Sequence, residues 1–110
     1  MKPSKYRNVK TIIDGITFDS RKEARRYGEL HLLVISGIAT RVELQPEFPY
    51  EVTYRANGKE YSVKRKYIAD FKVTYPDRVD IEDVKGMRTR EFIQKRNIVE
   101  KLYGIKIIEK

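Results

Sequence analysis

Acidic residues are scarce in strand interiors. Yet Asp70 interrupts the apolar run Tyr67-Ile68-Ala69-Asp70-Phe71, and Glu82-Asp83-Val84-Lys85 crowds charges into what reads as a second strand. Strand side chains return to one face every second residue. Asp83 and Lys85 therefore share a face and Glu82 and Val84 take the other, an assignment that a bulge before Lys85 would reverse. Asp70 shares its face with Ile68, while Ala69, Phe71 and Val73 fill the opposite one. If Tyr67–Tyr75 and Arg78–Gly86 are strands joined by a tight turn at Pro76-Asp77, two carboxylates and one ammonium come close together. Magnesium takes hard oxygen ligands and keeps some of its waters. Asp70 and Asp83 would be direct ligands, with the Val84 carbonyl a third. Lys85 would orient an attacking water or stabilise a pentavalent phosphate. The plainer reading pairs Asp70 with a neighbouring cation and leaves Asp83 on a strand edge. A broken local rule is more often a site than an accident.

The elements that must position these residues can be read in order. Residues 1–8 are polar and basic, a mobile arm. Val9–Ile13 and Ile16–Phe18 flank Asp14-Gly15, a two-residue hairpin signal. A helix follows from about Arg21 to Ser36, stopped by Gly37. Ser20 with Glu23 makes a capping box. Glu23 also shares a helical stripe with Tyr27, Leu30 and Val34, so it is either a cap or a functional carboxylate facing the sheet. Ile38–Leu44 suggests a strand, interrupted at Gln45-Pro46; Gln45 is a polar candidate near the strand end. Alternation from Phe48 to Arg55 describes a half-buried strand, turned at Asn57-Gly58 into a partner that begins near Glu60. Thr89 caps a second helix running to about Tyr103 and ended by Gly104, with Phe92, Val99 and Tyr103 inward. Gln94, Lys95 and Arg96 are expected near the end of the Asp83 strand. The final strand, Ile105–Ile108, returns after a helix and should run parallel to Arg78–Gly86. The sum is one α/β (α+β) domain over residues 1–110, a mixed central sheet flanked by helices and preceded by an N-terminal β-hairpin.

Composition narrows the function classes. With no cysteine and one histidine, disulfides and thiolate metal sites are excluded and zinc is disfavoured. No apolar run approaches a membrane span, and no apolar segment follows the basic start. The net charge of +8 is gathered at 2–10, 21–26, 64–66 and 85–96. Phosphate backbones are the commonest partner of such surfaces, through counterion release. Lys10, Arg21, Arg25, Arg88, Gln94 and Lys95, with Gln45, are the candidate nucleic-acid contacts.

These residues resemble the PD-(D/E)xK nuclease superfamily. The matches are Asp70 in Ile68-Ala69-Asp70-Phe71, Asp83-Val84-Lys85, and Glu23 on the preceding helix, with Ala69 where the nominal pattern has proline. The longer series Ser4-Lys5-Tyr6, Asp14–Ser20, Glu43–Pro46, Tyr67–Phe71 and Glu82–Gly86 is similar to a family of small phage and prophage proteins of largely unassigned function. The resemblance implies a restriction-endonuclease-like core and a Mg2+- or Mn2+-dependent DNA endonuclease. It makes Glu23, Asp70 and Asp83 metal-binding, with Lys85 assisting the nucleophile. It also implies a cytoplasmic location, in a bacterial host if the gene is phage-borne. The expected substrate is duplex or branched DNA, as for Holliday-junction resolvases. A homodimer is one way to present enough contacts. The alternative is a non-catalytic nucleic-acid-binding module on the same fold.

Overall fold

The structure, a computed structural model, describes residues 11–13, 15–84 and 88–110. The chain runs β1 (Thr11–Ile13), β2 (Ile16–Phe18), α1 (Arg21–Ile35), β3 (Arg41–Leu44), β4 (Glu47–Ala56) and β5 (Lys59–Ile68). It continues through β6 (Phe71–Thr74), β7 (Val79–Asp83), α2 (Arg90–Tyr103) and β8 (Ile107–Glu109). Strands β1 and β2 pair, β4 and β5 pair, and a four-stranded sheet has the order β3-β6-β7-β8. This is the expected mixed α+β class with an N-terminal hairpin. Among the described residues no helix is long and apolar enough to cross a membrane. The proposed arm at residues 1–8 lies outside the described residues. The chain divides into two compact units, Met1–Val42 with Val73–Val79, and Glu43–Lys72 with Asp80–Lys110.

In the first unit β1 and β2 are antiparallel, with Thr11 opposite Phe18. Ser20 opens α1 in an extended conformation, its Oγ accepting the Glu23 backbone N–H at 3.1 Å. That bond satisfies one of the orphan donors of the first turn. Ser20→Ala is expected to lower stability by about 1 kcal/mol, read as a shift in the urea midpoint. At the other end Ile38 N donates to Leu33 O and Gly37 N to Val34 O, with Gly37 at φ +81°. This Schellman closure uses residues that the sequence had suggested for a strand from Ile38, so β3 starts only at Arg41. Leu30 and Ala24 are buried. Tyr27 packs its ring 5.0 Å from Phe18, and Glu23 is half-buried at the edge of the stripe.

In the second unit β4 and β5 pair without interruption from Glu47–Ile68 to Ala56–Lys59. Asn57 and Gly58, at φ +53° and +73°, close the hairpin with the left-handed pair that type I′ turns require. The half-burial expected along β4 is confined to its base. Phe48 and Tyr50 are covered, whereas every residue from 51 to 62 is exposed. Only the base of the hairpin joins the core of the unit, which comprises Tyr50, Tyr67, Ala69, Ile81, Phe92, Val99 and Ile107. Helix α2 is capped as expected, Thr89 Oγ1 accepting Phe92 N at 3.1 Å and Gly104 closing at φ +64°. Tyr103, expected inward, is instead mostly exposed, its hydroxyl donating to the Pro49 carbonyl. Strand β8 is parallel to β7, Ile81 facing Ile107, and begins two residues later than the sequence suggested.

The single strand expected over Tyr67–Tyr75 is two strands. The chain leaves β5 at Ile68, bends through Ala69-Asp70 and enters the four-stranded sheet at Phe71. The opposing chain bends at the same level, at Gln45-Pro46 between β3 and β4. Ala69 N donates to Pro46 O at 3.1 Å and Gln45 N to Asp70 O at 3.0 Å. Both chains thus change sheets together and keep their pairing through the bend. Alternation of side chains cannot reveal such a corner, because the apolar pattern continues across it.

Candidate active site

Asp70 sits in that corner. Its backbone N–H donates to Glu82 O at 3.1 Å and its carbonyl accepts from Gln45 N. Its side-chain Oδ2 accepts the Val84 N–H at 2.6 Å, a short, charge-assisted bond. The carboxylate is therefore fixed against the end of β7. Asp83, the last residue of β7, is 1 % exposed, and its Oδ2 accepts the Tyr67 hydroxyl. The Tyr67 hydroxyl is held far above its ordinary pKa, first by burial and then by the hydrogen bond and charge of Asp83. The charge of Asp70 adds to the shift and Arg96 opposes it. Asp70 is bonded to both chain neighbours of Asp83, Glu82 through its backbone and Val84 through its side chain, which places the pair at a single corner of the second unit.

The alternation read from the sequence holds in β7. Ile81 lies in the core with Tyr67, Asp83 reaches the same tyrosine, and Glu82 takes the opposite parity, fully buried. A buried carboxylate needs donors that make good its lost hydration, and Tyr67 is one of them. Tyr67→Phe removes that donor while keeping the ring. It is expected to destabilise the fold by about 1.5–3 kcal/mol, the range for hydrogen bonds to charged groups, measured by urea denaturation.

The remaining candidates fall in different places. Gln45 lies directly opposite Asp70 and adopts φ +51°, a left-handed conformation uncommon for a residue with a side chain. Such strain clusters at functional corners. Arg88 Nε pairs with Glu109 Oε1 at 2.8 Å, and Arg96 Nη1 holds the other oxygen of the same carboxylate at 2.7 Å. Gln94 and Lys95, expected beside the Asp83 strand, instead line a groove with β4 and β5. Each helical residue turns by about 100°, so Arg96 reaches β8 while its two predecessors face elsewhere. Arg21 and Arg25 are exposed on α1, and Glu23 stands in its first turn. Lys85 and Lys10 lie outside the described residues. Tyr67 escaped the sequence reading as a site residue because its link to Asp83 spans 16 residues, and nothing local signals it.

Among the described residues no group of three or more histidine, aspartate or glutamate side chains could hold a metal ion. The donor set at the corner is the two carboxylates of Asp70 and Asp83, hard oxygens. That set suits a cation bound through one or two carboxylates, retained waters and substrate phosphate, the habit of Mg2+. It does not suit an all-protein cage. By donor chemistry alone, the two carboxylates are of the kind a hydrated divalent cation takes.

A family model described as "Protein of unknown function (DUF1064)" matches residues 3–107. No curated protein and no solved structure matches the chain.

Proposed function

The chain belongs to the DUF1064 family, whose function is unknown, and from the residues of its corner we propose that it is a divalent-metal-dependent DNA endonuclease of the PD-(D/E)xK type. The observation that carries this reading is the convergence of Asp70 and Asp83 on one corner. Val84 N–H tethers Asp70, and the Tyr67 hydroxyl tethers Asp83. A carboxylate brought to such a corner weakens a pure phosphate binder, and a buried one is costly to an apolar core.

Asp70 and Asp83, with the Val84 carbonyl, would hold the cation. Bound Mg2+ or Mn2+ supplies an acidified water and offsets charge building on the phosphate. Tyr67 fixes the rotamer of Asp83, and the Gln45–Asp70 backbone bond fixes the corner itself. Lys85 would orient the nucleophile or stabilise the pentavalent phosphate. Arg21, Arg25 and Lys10 would take backbone phosphates, which position DNA without reading its sequence. A chain of this size has little surface for base readout, so branched DNA recognised by shape is the first substrate to test, with a homodimer presenting two corners.

Calorimetric titration with Mg2+ and Mn2+ tests the premise. The expected result is binding by the wild type that weakens on replacing Asp70. Undetectable affinity for either cation, with DNA binding intact, would favour a non-catalytic nucleic-acid-binding module.

A further inference from the structure

The outer half of the β4–β5 hairpin carries an aromatic, apolar face. The register sets Tyr50 opposite Arg65, Val52 opposite Val63 and Tyr54 opposite Tyr61. Paired residues share a face, so all six lie on one side of the hairpin. The rings of Tyr54 and Tyr61 stack at 5.4 Å and 19°, yet the two residues remain 47 % and 41 % exposed. Alongside them opens a groove of about 450 Å³, with Tyr54 and Arg65 on the strand side and Gln94, Lys95 and Ile98 on α2, together with one carboxylate, Glu91, against the two cations. Every one of these residues belongs to the second unit.

Two cations, Arg65 and Lys95, line the groove. Lys66, Lys72, Arg88 and Arg96 each pair with a carboxylate. Among the described residues, neither Arg65 nor Lys95 does. Arg65, opposite Tyr50, and Lys95 on α2 thus line the same groove as Tyr54, whose ring a second tyrosine holds in place. The cores of protein–protein interfaces are depleted of lysine. A positive channel with aromatic platforms is the pattern of single-stranded nucleic-acid sites, since every base has a face to stack.

We infer that this groove binds an unpaired DNA strand, one base stacking on Tyr54 while Arg65 and Lys95 take the neighbouring phosphates. Gln94 supplies an amide to a base edge. The inference deepens the nuclease reading by naming a single-stranded segment as part of the substrate. Binding there requires neither metal nor Asp70, so it can be tested apart from cleavage.

The test is fluorescence anisotropy in EDTA with a labelled oligothymidylate and, separately, a matched duplex. Tyr54→Ala should weaken binding of the single strand about tenfold or more, and Tyr54→Phe, which keeps the ring, should restore it. Lys95→Ala should reduce the slope of log affinity against log salt by about 0.7, one phosphate contact. Circular dichroism and a thermal melt verify that each variant is folded. Unchanged oligothymidylate affinity in folded Tyr54→Ala would overturn the inference. So would a loss of self-association by Tyr54→Ala in sedimentation with no loss of DNA affinity, which would make the groove an interface between copies. Loss of strand binding by a protein that never cuts would refute the nuclease reading and leave the groove standing. Cutting that survives with strand affinity unchanged would do the reverse.

Discussion

Asp70→Asn is expected to reduce Mg2+-dependent DNA cleavage by on the order of a hundredfold to a thousandfold, while the protein stays folded. The asymmetry follows from what Asp70 does. Its Oδ2 accepts the Val84 N–H, and an asparagine amide oxygen can accept the same bond. Its backbone bonds to Glu82 and Gln45 do not involve the side chain. Substitution therefore removes a negative charge, and with it the proposed cation ligand, but little of the corner. Cleavage rates at saturating Mg2+, with a urea titration on the same preparations, separate the two effects. Equal loss of stability and activity would mean that Asp70 is structural.

Phe71→Ala should produce the largest loss of stability, about 3–5 kcal/mol, in a fold whose total is on the order of 5–15 kcal/mol. Phe71 opens β6, is wholly buried, and follows Asp70 directly. Emptying its position removes transfer free energy and leaves a cavity beneath the bend that holds the carboxylate. The urea midpoint should fall sharply, and weaker cation binding should accompany it if the corner loosens. A midpoint unchanged from the wild type would show that β6 is not anchored there.

What could be read from the sequence divides along physical lines. Helix ends were legible because caps are local: Ser20, Thr89, Gly37 and Gly104 each sit within a few residues of the bonds they organise. The Asn57-Gly58 turn was legible for the same reason, and the parallel return of β8 followed from a helix lying between two strands. The corner at Ala69-Asp70 was not. The period-two pattern runs through it unchanged, and the bend is set by the facing chain at Gln45-Pro46, far away in sequence, through the Ala69–Pro46 and Asp70–Gln45 bonds. Asp70 was conspicuous as an acid in apolar surroundings, and Asp83 as part of a cluster of charges in a strand. Tyr67 was one tyrosine among eight, distinguished only once a register brought it to Asp83. Gln94 and Lys95 were picked out for their polarity, but which way they face depended on the helix phase that puts Phe92 and Val99 in the core.

The central claim is that this corner cuts phosphodiester bonds with the help of a divalent cation. The most direct measurement incubates the protein with a labelled four-way junction, a matched linear duplex and single-stranded DNA, each with Mg2+, Mn2+ or EDTA. Asp83→Ala protein, purified identically, excludes contaminating nuclease. Cleavage by the wild type with Mg2+ or Mn2+, absent in EDTA and absent in Asp83→Ala, is the predicted result, with the junction as the preferred substrate. Binding to all three DNAs with no cleavage under any metal condition would contradict it.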